Sequence, residues 1–252
     1  MDEEEAKPAD RKADRVAQDL LRRIVAGELS VGSLLPKEAE LAAQHGVNRS
    51  VVREAIKLLE VHRLVRPIRR RGTEVLDPLA SMSPEVLRAM LAPSPGRVDR
   101  DVLADFLEVR AALDVQMTML AAERRTDEDL KRLESTLEVL ESALHDRPRY
   151  DRASAALTRE IARATHNRIF EMMVWWHQTV ATDLSDIFRV VRPANEPHLQ
   201  GLTLLVGLIR RREVEQVRTL VTAFHEWATP RLLAAAALST SEPLTNVIEG
   251  LR

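Results

Sequence analysis

The 252-residue chain has no cysteine, 45% hydrophobic but only 3% aromatic residues, and a formal net charge of −2. That length supplies a sizeable core for one large domain or two moderate ones, and the missing thiols exclude disulfides, thiolate metal sites and cysteine nucleophiles. The acidic start, MDEEEAKPAD, has no apolar stretch and no run of about 18 apolar residues follows, so neither a signal peptide nor a membrane span is expected, and a cytoplasmic location is.

From Asp14 the residues Val16, Leu20, Leu21, Ile24 and Val25 form one helical stripe that stops at Gly27. Pro36 precedes a short helical run from Lys37 to His45, which Gly46 breaks. Asn48 caps a second run with Val52, Ile56 and Leu59 inward. Two short helices around a tight glycine turn predict a helix-turn-helix, whose second helix enters the DNA major groove. Charge points the same way: between Asn48 and Thr73 there are eight basic residues (Arg49, Arg53, Lys57, Arg63, Arg66, Arg69, Arg70 and Arg71) against Glu54 and Glu60 alone. The runs 64–68 and 73–76 read as two strands with Arg69, Arg70, Arg71 and Gly72 between them, a wing fitted to the negative potential of a minor groove.

Residues 1–12 are expected to be disordered, 13–77 to form a winged helix-turn-helix, 78–83 a linker, 84–239 an all-helical domain, and 240–252 a tail. In the helical part the predicted helices are 84–91, 98–124, 127–144, 150–166, 169–189, 198–211 and 213–238. Trp175 and Trp176 read as core packing or a dimer surface, because adjacent residues face different sides of a helix. Arg110, amid Leu107, Val109, Leu113, Met117 and Met119, is either an ion-pair partner or a contact for a bound anion.

The stretch 16–77 closely resembles the winged helix of GntR-type bacterial transcription regulators. The match lies in Leu35, Pro36, Glu38, Leu41 and Ala42, then in GVNRSVVREA, then in RGTEV. The second half looks like the all-helical FCD effector domain of the fatty-acid-responsive (FadR) branch, through LEVRAALDVQMTMLAAERRTDEDLKRLE and the ATHN segment at 164–167. The implied fold is mainly α: a winged helix-turn-helix with a small β-hairpin wing, then a helical bundle.

The resemblance implies a homodimer on palindromic double-stranded DNA, bound through Asn48, Arg49, Ser50 and Arg53 of the recognition helix and Arg70, Arg71, Gly72 and Thr73 of the wing. It also implies a small-molecule effector, a carboxylate or an acyl thioester, with repression the expected sign. This sequence departs from the family at several positions. Ala39 stands where many members carry a phosphate-gripping basic residue, and Val51 replaces the usual Thr or Pro, which suggests apolar contact with a thymine methyl. Many FCD domains hold a divalent metal through an Asp and a His four residues apart plus two later His. Here the first pair falls on Ser154 and Thr158, and the later positions fall near Leu202 and Phe224, with His198 and His225 close by. No metal or other cofactor is therefore expected. The rival readings are an architectural DNA-binding dimer without effector and a helical-bundle enzyme, and the latter finds no P-loop, HExxH, nucleophile elbow or dinucleotide fingerprint.

Overall fold

The computed structural model describes residues 8–93, 97–181 and 194–239. The chain divides into two compact units, 1–95 and 96–252.

The first unit begins with α1 (Pro8–Val25), which already starts inside the 1–12 stretch expected to be disordered. Val16, Leu20 and Ile24 bury one stripe of it. Next comes α2 (Glu38–His45), whose end is set by Gly46 at φ 62, a left-handed cap that glycine adopts without a Cβ penalty. Then α3 (Arg49–Val61) starts at Asn48, whose side chain accepts the Val51 amide at 3.0 Å. Leu41, Val52, Ala55 and Leu59 close the core over α1. Strands β1 (Val65–Ile68) and β2 (Gly72–Val75) pair antiparallel, Val65 opposite Val75 and Ile68 opposite Gly72, and Leu34 bridges to Glu74 on the outer edge. The turn closes with the Arg71 amide on the Ile68 carbonyl at 3.0 Å, and Arg70 takes the left-handed conformation (φ 62).

Helix α4 (Pro84–Leu91) changes the expected domain division. It packs against α1, and Val86 and Ala89 join the winged-helix core. The expected linker 78–83 contains a 3-10 turn (Pro78–Ala80) capped by Asp77, and the boundary lies beyond α4. The physical reason is burial: Val86 is 1% exposed, so the stripe of this helix completes the first core.

The second unit is helical among its described residues: α5 (Arg100–Arg124), α6 (Asp127–Ser142), α7 (Arg147–Ala164), α8 (Arg168–Ala181), α9 (Asn195–Arg211) and α10 (Val214–Ser239). Helix α7 starts three residues before the predicted Tyr150, because Asp146 caps it and Pro148 fits a first turn whose amides lack helical partners. The predicted stretch 182–189 of the next helix and the 240–252 tail lie outside the described residues. Helix α5 packs along α10 and against α7 and α9, while α6 packs on α7 and α9 and α7 on α8. Leu133, Leu140, Tyr150, Leu157, Ile209 and Val217 fill the core.

Three arginines tie the helix ends together. Arg212, left-handed at the end of α9, donates to the carbonyls of Ala122, Glu123 and Arg125, which α5 leaves without intrahelical partners. Arg124 donates to the Thr165 carbonyl at 3.2 Å, and Arg125 to that of Arg210. Beside them the buried Asp129 closes a capping box with Thr126 and meets His166 Nε2 at 2.9 Å. Burial works to raise its pKa, but the Thr126 amide and hydroxyl and the His166 contact outweigh this and hold the carboxyl below its usual range.

Candidate functional site

The first unit concentrates its exposed cations on α3 and the wing. Arg49 and Arg53, one helical turn apart, share an exposed flank of α3, away from the stripe of Val52, Ala55 and Leu59 that is buried. Acids neutralise three of the eight basic residues: Arg53 Nε lies 2.8 Å from Glu38, Lys57 Nζ 3.0 Å from Glu54 and Arg66 2.6 Å from Glu74. Among the described residues Arg49, Arg63, Arg69, Arg70 and Arg71 have no acidic partner, and all five are exposed. Such unneutralised arginines are what a phosphate backbone attracts.

The polar residues expected at DNA are placed less uniformly. Asn48 uses its Oδ1 in the cap, where it also accepts the Ser50 hydroxyl at 2.8 Å, so the Ser50 proton is spent inside α3. Thr73 is half-buried in β2, whereas Gly72 is exposed at φ 128 with the Leu34 side chain 3.7 Å from where a Cβ would stand. The thymine-methyl role for Val51 is not supported. Its side chain is buried at 8% exposure within the winged-helix core rather than turned outward.

The second unit encloses a cavity of about 680 Å³. Phe106, Leu107, Leu113, Met117, Phe170, Met173, Trp227 and Leu232 give it apolar walls, and Arg110, Asp114, Arg152, His177, Gln178 and His225 supply polar groups. Arg110 therefore stands at the cavity, and its Nε lies 3.5 Å from Asp114. Asp114 in turn meets His225 Nε2 at 3.1 Å. Burial works to raise the Asp114 pKa, but the His225 hydrogen bond and the charges of Arg110, His225 and His177 outweigh it and keep the carboxyl below its usual range. Burial lowers the pKa of His177, and the nearby Arg110 charge adds to that against the opposing pull of the Met173 carbonyl and Asp114. The Met173 carbonyl accepts from His177 Nδ1 at 2.8 Å, which makes Nδ1 the protonated nitrogen of the neutral ring.

Of the helix-α5 flank, Leu107, Leu113 and Met117 reach the cavity, Met119 packs in the core, and Val109 is exposed. Trp175 is 58% exposed under the Arg159 guanidinium, so core packing does not describe it, while Trp176 sits edge-on to His177. Sequence reasoning passed over Asp114, Arg152 and Gln178. The available signal was Asp114 one turn after Arg110, a spacing that pairs side chains on a helix face.

The two positions that the family resemblance offers as the first metal-ligand pair carry no carboxylate or imidazole here. Ser154 and Thr158 do line the cavity, but with hydroxyls, and Thr158 donates to the Ser154 carbonyl at 3.3 Å. His225 is bonded to Asp114 and His198 Nδ1 to the Tyr150 hydroxyl at 3.0 Å. Among the described residues no three His, Cys, Asp or Glu side chains are grouped to hold one ion.

A winged helix with an unneutralised arginine face, in one chain with a helical unit built around a cavity, defines a DNA-binding transcription regulator. The family described as bacterial regulatory proteins, gntR family, matches residues 12–75, and the FCD domain matches residues 105–226. An uncharacterized HTH-type transcriptional regulator, Rv0494 of Mycobacterium tuberculosis, is 33% identical over 67% of this chain and 69% of its own length. The galactonate operon transcriptional repressor of Escherichia coli is 29% identical over 64% of this chain and 70% of its own. A solved structure titled as Lar, which controls expression of the Listeria monocytogenes agr system, superposes with a TM-score of 0.57 at 20% identity, covering 87% of this chain and 95% of that one. The chain belongs to the gntR family of bacterial regulatory proteins and carries an FCD domain.

Proposed function

We propose that the protein is a cytoplasmic, non-catalytic homodimer that represses transcription from a palindromic operator and is controlled by a small anionic effector bound without a divalent metal. The observation that carries the DNA half is the set of acid-free arginines, Arg49 on α3 and Arg69, Arg70 and Arg71 in the wing turn. In this reading α3 lies in the major groove with Arg49 at the phosphates and Arg53 at a base edge, and the wing arginines, with Gly72 and Thr73, follow the minor groove.

The effector half rests on the cavity, whose volume lies within the usual range for ligand pockets. Its apolar walls suit a carbon chain, and Arg110 and Arg152 suit a carboxylate or the polar head of an acyl thioester, the ligand class of the fatty-acid-responsive branch. The test is thermal denaturation of the purified chain with a panel of small carboxylates and acyl thioesters. A true effector at 100 times its Kd stabilises by about 2.7 kcal/mol, and Arg110→Ala should abolish that shift. Elemental analysis of the same sample should find no stoichiometric divalent metal; one ion per chain would overturn the metal-free reading.

A further inference from the structure

We propose that Glu38 is a positioning residue that turns Arg53 into a base reader and withholds it from the phosphates. The proposal rests on the reading of α3 as the recognition helix. Glu38 opens α2 and Arg53 lies in the second turn of α3, so their contact spans the helix-turn-helix. Nε of Arg53 donates to Glu38 Oε2 at 2.8 Å. Among the described residues neither Nη atom of Arg53 has a partner, so the carboxylate holds one edge of the guanidinium and leaves its two terminal donors as a fork. Paired donors of that kind match O6 and N7 of guanine.

Charge explains why an acid sits there. A carboxylate beside a nucleic-acid backbone is repelled by it, and the Glu38–Arg53 pair carries no net charge to be drawn to a phosphate. The pair is also well exposed, 63% for Arg53 and 38% for Glu38, and an ion pair so wet contributes next to nothing to folding. Arg49 and the wing arginines have no such acid and supply the unspecific attraction. The helix-turn-helix thus separates cations that grip from one that is aimed.

The experiment is selection of binding sequences from a random double-stranded DNA pool with the full chain and with Glu38→Ala, Glu38→Gln and Arg53→Ala. Arg53→Ala should erase a guanine preference at one position of each half-site. Glu38→Ala should relax that same position, by roughly 5- to 150-fold, the worth of one bidentate pair. The salt dependence of Glu38→Ala should also steepen, because the freed guanidinium turns to phosphate. Glu38→Gln keeps an acceptor oxygen for Nε–H and should restore the preference. A merely structural pair would shift the melting temperature and leave the selected sequence unchanged. An unaltered motif with Glu38→Ala, or no restoration by Glu38→Gln, overturns the positioning role while leaving the recognition helix in place. An unaltered motif with Arg53→Ala overturns the base-reading role of Arg53 and the proposal with it.

Discussion

One side-chain oxygen of Asn48 accepts both the Val51 amide and the Ser50 hydroxyl, and so fixes where the recognition helix begins. Asn48→Ala should destabilise the first unit by about 1 kcal/mol, the usual worth of an N-cap, in urea denaturation followed by circular dichroism. Two carboxylates of the second unit, the buried Asp129 and the half-buried Asp114, set its acid limit. Asp114 and Asp129 both have folded pKa values depressed below the unfolded value of about 3.9, so the native state binds fewer protons than the unfolded chain. Their stabilisation is complete above the unfolded value and is lost as pH falls through the folded ones. Asp129→Asn should therefore lower stability at neutral pH by about 1–3 kcal/mol and flatten the fall below pH 4 in pH-dependent urea midpoints. Single-residue roles were legible where a cap or a left-handed turn demands one residue type, as at Asn48 and Gly46. Val51 was not, because an apolar residue at the start of a helix reads alike whether it meets a base or the core, and only the packed core decides.

At the level of elements, periodicity and caps located most of the described helices to within a few residues, with α3, α5, α6 and α7 starting at the polar caps Asn48, Asp99, Thr126 and Asp146, whereas α1 begins six residues before the predicted Asp14 and α9 follows Ala194, which offers no side-chain cap. The wing was legible for a similar reason: two short apolar runs bracket three arginines and a glycine. What periodicity could not supply was the allegiance of α4. Its stripe needs a partner, and the sequence does not say whether α1 or the helical bundle provides it. The structure gives α4 to the winged helix through Val86 and Ala89. A fragment ending at residue 93 should accordingly melt higher than one ending at residue 77. Burial of Val86 alone is worth about 1.5–3 kcal/mol, so equal melting temperatures would contradict the packing.

For the whole molecule, the near-neutral total charge hides a division of labour: the acids that neutralise Arg53, Lys57 and Arg66 leave five other arginines of the same segment bare. The cavity was only partly foreseeable. Arg110 stood out as a cation amid apolar residues, but Arg152, Gln178 and His177 come from two other helices, and no spacing along the chain announces their convergence. The central claim, that the bare arginine face binds a specific DNA duplex, is tested most directly by mobility shift at several salt concentrations. The duplex should be one selected by the wild-type chain, and the proteins compared should be wild type and Arg49→Ala/Arg71→Ala. The account predicts that the double variant loses most of its affinity and that its salt dependence becomes shallower by roughly 1.8 per chain in log–log slope, one counterion-releasing contact for each arginine. Unchanged affinity and slope in a folded double variant would contradict it.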